Sequence, residues 1–413
     1  MDLLETSRGC THACSFCSPA SVYPHKWRAH SVPYVMAEIT RLAEAGVKIC
    51  MLTDDHLGGD MVRLEALADA ILASGVRMAF FCFIRAFTGH VALKRKLVQA
   101  GFVFVTYGAE SPSPEQLKRY NKGYPTASGA FLKQVNAEWR EAGALYVGNS
   151  YVFGDVNETA ESLTALGAYA RSLDPTYIEP LYAQPYPATR YRAELVAADL
   201  VRPRPWSDYT EGRLLVRHPE LEEEELRRLR ARTWVDFFSP RKATGGTLAV
   251  PLYLHHVLGV DVPTVLRFMA ASDYALFGCF LEDQFYEDLR PEMVLDWFER
   301  ALPSFEPEER CMTEHVDAFA DMLGLGPLKR LLGTCEVVLA VRDAGATVAS
   351  VVFPLVQGRV VDASVEPGDW PSRPGVRRWS FQVPLQSLAA LAAPGPVGDR
   401  LMASLRSLPT AWR

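Results

Sequence analysis

The chain has 413 residues, 49% of them hydrophobic and 22% charged, with a formal net charge of −6. That length allows a large core spread over more than one domain, and the acidic balance argues against a nucleic-acid backbone as the main partner. No apolar run reaches the roughly 20 residues that span a bilayer, and Met1-Asp-Leu-Leu-Glu5 is not a targeting sequence, so the expected setting is cytoplasmic, with no membrane partner.

Residues 3–7 read as a first strand, and they lead into Glu5-Thr-Ser-Arg-Gly-Cys-Thr-His-Ala-Cys-Ser-Phe-Cys-Ser18. Cys10, Cys14 and Cys17 are three of eight cysteines, and the other five do not cluster. Thiolates spaced C-x-x-x-C-x-x-C on one loop can converge on an iron–sulfur cluster, because iron and sulfide prefer soft sulfur ligands. Three ligands leave one iron of a four-iron cube open to a small chelating molecule. Zinc is the rival, with His12 as fourth ligand, although His12 would have to fold back between two ligands on a tight loop. Thiols that ligate iron need a reducing compartment, and the sparse cysteines do not suit a disulfide framework.

Past this loop, β-rich runs alternate with amphipathic stretches. Strands are read at 47–53, 78–83, 102–107, 144–153 and 176–183, and helices at 63–73, 90–99, 113–120, 128–142 and 158–172. With the first strand these make six βα units, hence an α/β fold with a parallel sheet wrapped by helices. Six units are too few for the ordinary eight-stranded barrel, and reactive groups belong just after the strands, at the C-terminal edge.

Those edges carry Thr53-Asp-Asp-His-Leu-Gly-Gly-Asp60, Arg85 in Phe-Ile-Arg-Ala, Tyr107-Gly-Ala-Glu-Ser-Pro-Ser113 with Asn121-Lys-Gly123 downstream, Asn149-Ser-Tyr151, and Gln184-Pro-Tyr-Pro-Ala-Thr189. Asp54 and Asp55 can accept from an ammonium or a hydroxyl, and Arg85 can pair bidentately with a carboxylate. Each position also has a structural reading: a solvated turn capped by Asp60, a surface Arg85, a Glu110 that complements a helix dipole.

Taken in order over residues 1–200, the cysteine loop with Phe16 before its third cysteine and the segments after the strands resemble the radical S-adenosylmethionine (SAM) superfamily. The resemblance implies a partial (β/α)6 barrel, a [4Fe–4S] cluster on Cys10, Cys14 and Cys17, and SAM chelating the fourth iron. Reduction by an external donor such as flavodoxin or ferredoxin would then yield a 5′-deoxyadenosyl radical. It further implies cofactor contacts from Phe16, from Asp54 and Asp55 at SAM's amino end, from Arg85 at its carboxylate, and from Glu110 and Ser111 at the ribose or amino group. Asn149 at the ribose, its neighbour Tyr151, and Gln184 complete that set. The sequence departs from the pattern where Asp54-Asp55 replaces the common Gly-Gly-Glu and where Ala188 replaces the glycine of Pro-x-Pro-Gly-Thr. The nearest subgroup often carries a cobalamin domain ahead of the cysteines; with nine residues before Cys10, none is expected. Hydrogen abstraction from a small organic substrate, a biosynthetic intermediate, is therefore the expected chemistry. A cobalamin-assisted methyltransferase and a non-enzymatic zinc or iron–sulfur scaffold are the alternatives.

Residues 201–330 read as a helical region covering the substrate. It contains Pro203-Arg-Pro-Trp206, an amphipathic covering helix at 221–238, the pair His255-His256, and an aromatic run at 274–286. The His pair could bind metal but suits packing, and Cys279 could donate a hydrogen atom or be a buried core thiol. Cys279, Cys311 and Cys335 form no second cluster motif. Residues 331–413 read as a small α+β domain, with strands at 336–342, 347–353, 359–365 and 379–383 and helices at 385–392 and 399–408. It resembles a sterol-carrier-protein-like module faintly, and a dimerisation or substrate-cover role is preferred.

Overall fold

A computed structural model of the chain describes residues 1–23, 26–122, 129–237 and 249–265, and strands within 335–343, 346–356, 359–360, 364–367 and 378–384. The chain divides into two compact units, residues 1–237 and 238–413.

The first unit is built on a six-stranded sheet: β1 (Asp2–Leu4), β4 (Ile49–Leu52), β5 (Ala79–Phe83), β6 (Phe102–Glu110), β7 (Tyr146–Phe153) and β8 (Tyr177–Tyr182) lie side by side in that order. Every neighbouring pair is parallel. Strands buried on both faces read as continuous apolar runs, and Ala79-Phe-Phe-Cys-Phe83 is such a run. The helices between them start where the sequence supplies an oxygen or ring nitrogen for a free N–H. Ser31 caps α2 (Val32–Glu44), Asp60 caps α3 (Met61–Ser74), and the His90 ring caps α4 (Val91–Gln99). Ser113 caps α5 (Pro114–Arg119), and Thr159 forms a capping box with Ser162 at α7 (Ala160–Ser172), beyond α6 (Gly129–Glu141). Among the described strands β1 and β8 do not meet, so the sheet is the open, partial barrel expected from six units.

Three features differ from the expectation. The first strand is shorter: after Leu4 the chain leaves the sheet, and β2 (Ser7–Gly9) pairs antiparallel with β3 (Trp27–Ala29) beyond the short α1 (Ser18–Val22). Asp54 takes over at this point: its carboxylate accepts the Thr6 N–H, the one ladder donor of the three, and also both the Thr6 and Ser7 hydroxyls. Gly9 closes this hairpin at φ +85°, where a Cβ would lie 2.2 Å from the Lys26 carbonyl oxygen. The amphipathic α2, which buries Val35, Ile39 and Leu42, stands where no element was expected. Finally, the first unit continues past residue 200. Helix α8 (Arg190–Ala197) is followed by a bridge between Val201 and Val216 and by α9 (Glu223–Phe237), which packs on α7 and β8. Arg230 of α9 donates from Nε to the Pro180 carbonyl at 2.8 Å, so α9 is the packed cover that its pattern suggested.

In the second unit, Tyr253–Val257 forms a π-helical turn in which His255 Nδ1 lies 2.9 Å from the Val260 carbonyl. Its sheet has β10 (Ala346–Val356) between β9 (Cys335–Asp343) and β11 (Arg359–Val360), with β12 (Ser364–Pro367) also on β10 and β13 (Arg378–Pro384) parallel to β9. The strand read at 359–365 is thus two short strands, and the others fall where expected. Cys279, Cys311, the aromatic run at 274–286 and the helices read at 385–392 and 399–408 lie outside the described residues. Among the described residues no helix is long and apolar enough to cross a membrane.

Candidate active site

The cysteine loop is held by its own backbone against the C-terminal edge of the sheet. Ser15 N–H donates to the Tyr120 carbonyl at 2.9 Å, the Ser15 hydroxyl to the Arg119 carbonyl at 3.1 Å, and Asn121 Nδ2 to the Ala13 carbonyl at 2.8 Å. Tyr191 N–H donates back to the Ser15 carbonyl at 3.0 Å, and Gly9 N–H donates to Asp55 at 2.7 Å. Phe16 packs edge-on against Tyr120, with ring centroids 5.0 Å apart. The residues after α5 therefore act as a strip on which the loop is laid. Asn121 takes the left-handed conformation at φ +53°, which asparagine tolerates well.

All three thiols open into one cavity of about 350 Å³, shared with Asp54, Asp55 and His56 after β4, Arg85 after β5, and Glu110 of β6. Burial pushes the Cys17 thiol up to about 12. Burial also raises Cys10, opposed in part by the charges of Arg85 and Lys122. Such thiols ionise when a metal takes the place of the proton. Among the described residues no three Cys, His, Asp or Glu side chains gather as a single ion would require.

Lys122 Nζ lies 2.6 Å from Glu110 Oε1, both side chains only 9% exposed. Glu110 ends β6 at φ +65°, a conformation that costs a non-glycine residue energy, and the ion pair folds back over Gly108. A Cβ on Gly108 would sit 1.9 Å from Glu110 Oε1 and 2.9 Å from Lys122 Nζ. Arg85 reaches Cys14 with Nη1 at 3.8 Å from Sγ. Burial, followed by the charge of Arg85, lowers His56 to about 3, so its ring is neutral. Trp27 Nε1 fixes that segment by donating to the His56 carbonyl at 3.0 Å.

Residues 4–159 match the family model of the Radical SAM superfamily. They form a radical SAM domain. Such a domain uses a [4Fe–4S] cluster and S-adenosylmethionine, and three soft thiols opening into a cavity with acidic and basic walls fit that pair. The chain is 26% identical over 255 residues to a protein of Pyrococcus horikoshii named an uncharacterized methyltransferase, covering 62% of this chain and 54% of that one. It is 26% identical to bacteriochlorophyllide d C-8(2)-methyltransferase of Chlorobaculum tepidum over 41% of this chain and 38% of the relative. The structure of the radical SAM methyltransferase TsrM of Kitasatospora setae is similar with a TM-score of 0.48 and 18% identity, over 59% of this chain and 53% of TsrM. The chain spans about half the length, or less, of these curated relatives.

Of the residues expected at the radical SAM site, Cys10, Cys14, Cys17, Phe16, Asp54, Asp55, Arg85 and Glu110 line the cavity together. Ser111, Asn149, Tyr151 and Gln184 do not. Successive side chains of a strand point to opposite faces; on β7 Ser150 faces the cavity, while Asn149 is fully buried against Asn136, exchanging amide hydrogen bonds at 3.0 and 3.2 Å. Tyr151 lies on the same helix side, ring edge toward Tyr169. The Ser111 hydroxyl accepts from Ser113 N–H at 3.1 Å, and Gln184 Nε2 donates to the Arg213 carbonyl at 2.7 Å. Asp54 and Asp55 line the cavity, yet their carboxylates already accept from Thr6, Ser7 and Gly9. Sequence reasoning missed His56, Lys122 and Ser150. Strand alternation on β7 carried the signal for Ser150, and Lys122 stands beside the loop-binding Asn121.

Proposed function

We propose that the chain is a radical SAM methyltransferase acting on a small organic substrate in a reducing, cytoplasmic setting, with electrons supplied by an external one-electron donor. The enzyme reading is carried by one observation: Cys10, Cys14 and Cys17 open into a single cavity large enough for a small ligand beside a cluster. Methyl transfer, rather than hydrogen abstraction alone, is favoured by the names of the curated relatives, among them a hopanoid C-3 methylase of Methylococcus capsulatus that is 28% identical over 29% of this chain. Cys10, Cys14 and Cys17 would hold a [4Fe–4S] cluster, which when bound and reduced would supply one-electron chemistry toward the sulfonium of S-adenosylmethionine. The chain's own residues bind and orient. Cys10, Cys14 and Cys17 hold iron, Arg85 and Lys122 place positive charge beside the thiols, and Glu110 is kept in position by Lys122 to accept hydrogen bonds from a bound hydroxyl or ammonium. Phe16, wedged against Tyr120, keeps water from that end of the loop.

The test is anaerobic turnover of reconstituted protein with SAM and dithionite, with and without methylcobalamin. S-adenosylhomocysteine and a methylated product support the proposal, and 5′-deoxyadenosine without any methyl transfer returns the reading to hydrogen abstraction. With no SAM cleavage in any arm, while Cys14→Ala and native protein behave alike, the enzyme reading fails.

A further inference from the structure

Two cations stand by the thiols, and the structure treats them differently. Lys122 is ion-paired to Glu110 at 2.6 Å. Arg85 has no ion-pair partner among the described residues. Its Nη1 points instead at Cys14 Sγ, 3.8 Å away, and its buried Nε has no hydrogen-bond acceptor. The backbone holds it there: Arg85 N–H donates to the Thr88 hydroxyl at 3.1 Å, and Thr88 N–H returns to the Arg85 carbonyl at 2.8 Å. That turn sits directly after β5, so the guanidinium starts from a rigid edge. Its charge also acts on the Cys10 thiol, so it bears on two of the three sulfurs.

We propose that Arg85 sets the reduction potential of the cluster by holding a guanidinium N–H against the Cys14 thiolate. This rests on the assignment of Cys10, Cys14 and Cys17 as iron ligands, though not on methyl transfer. One electron taken from the external donor adds one negative charge to the cluster, with no bond made or broken. A fixed cation within a few ångströms stabilises the more negative state most, and N–H···S bonds draw electron density from the sulfur. Both effects raise the potential and ease reduction. A guanidinium is suited to this because it stays charged and presents its donors as a rigid fork. The family-derived expectation for Arg85, pairing with the SAM carboxylate, concerns a different quantity: it forecasts a loss of SAM affinity in the variants and makes no forecast for the potential without SAM.

The experiment is an EPR-monitored redox titration, without SAM, of native protein, Arg85→Lys and Arg85→Gln, each at matched iron and sulfide content. The expected order of midpoint potentials is native highest, Arg85→Lys lower and Arg85→Gln lowest. Native-like potentials in both variants overturn the proposal, whatever happens to SAM affinity. If Arg85→Gln does not retain a cluster, Arg85→Lys decides, and a native potential there overturns it equally. Native protein that assembles no cluster at all would instead sink the iron-ligand assignment, which iron analysis reads separately.

Discussion

Replacing Asp54 separates a strut from a cofactor ligand. The side chain is 1% exposed; Oδ1 accepts from Thr6 N–H at 2.7 Å, and Oδ2 accepts from the Thr6 hydroxyl at 2.6 Å and from the Ser7 hydroxyl. Hydrogen bonds to a charged group contribute about 1.5–3 kcal/mol each, and a buried donor left unpaired costs about 1–3 kcal/mol. In Asp54→Ala the two hydroxyls can rotate toward other acceptors, whereas the Thr6 N–H cannot. The expected loss is therefore about 3–5 kcal/mol, well below the sum of three full bonds and a large part of a typical domain's stability. Asp54→Asn keeps an oxygen for the Thr6 N–H and should lose about half as much. Urea unfolding of iron-free protein measures both. An Asp54→Ala protein that unfolds within about 0.5 kcal/mol of native yet no longer binds SAM would refute the reasoning, because Asp54 would then serve the ligand and not the fold.

Three further outcomes are expected. Asn121→Gly keeps the left-handed backbone but drops the bond to Ala13, so it should unfold close to native while losing iron to a chelator several-fold faster; Asn121→Ala should lose iron as fast and also about 1 kcal/mol of stability, from the cost of alanine at positive φ. Ala188 sits at φ +61°, so Ala188→Gly relieves about 1–2 kcal/mol of steric cost against a smaller entropic loss in the unfolded chain, and the urea midpoint should rise. His56 is lowered to about 3 in the folded protein from an ordinary 6.5. A depressed pKa gives stability that is present above 6.5 and is lost as pH falls toward 3, by on the order of 5 kcal/mol at most. Iron-free His56→Asn should show a correspondingly shallower loss between those pH values, and parallel native and variant curves would count against it.

The sheet was legible because burial on both faces leaves a mark that survives without any alignment: the apolar runs at 78–83 and 102–107 became β5 and β6 almost unchanged. What stayed hidden were long-range choices. Nothing local in Thr6-Ser7 says that both side chains will turn to a carboxylate 47 and 48 residues away, and that choice is what ends β1 and makes the hairpin. Likewise the motif Asn149-Ser-Tyr151 names the right strand but not its face. Register decides that, since a one-residue slip exchanges the two sets of side chains, and here Ser150 faces the cavity. Helix α2 is a different kind of miss, because its Ser31 cap and its Val35, Ile39 and Leu42 stripe were both present in the sequence.

The disposition of the carboxylates explains why the cations matter. Asp54 and Asp55 accept from the chain that carries the cysteines, Glu110 is matched by Lys122, and the fully buried Asp155 accepts from Arg119 and Tyr120, anchoring the strip on which the cysteine loop lies. The acids near the thiols are thus engaged in positioning, even though the whole chain is acidic. What reaches the sulfurs is Arg85. A site that gathers three thiolates must offset their mutual repulsion; iron does most of this, and a guanidinium fixed at the end of β5 adds to it from the protein side. The cation that reaches the sulfurs is thus fixed by one position after β5 and not by the overall charge, which is why composition alone could exclude partners but could not describe the site.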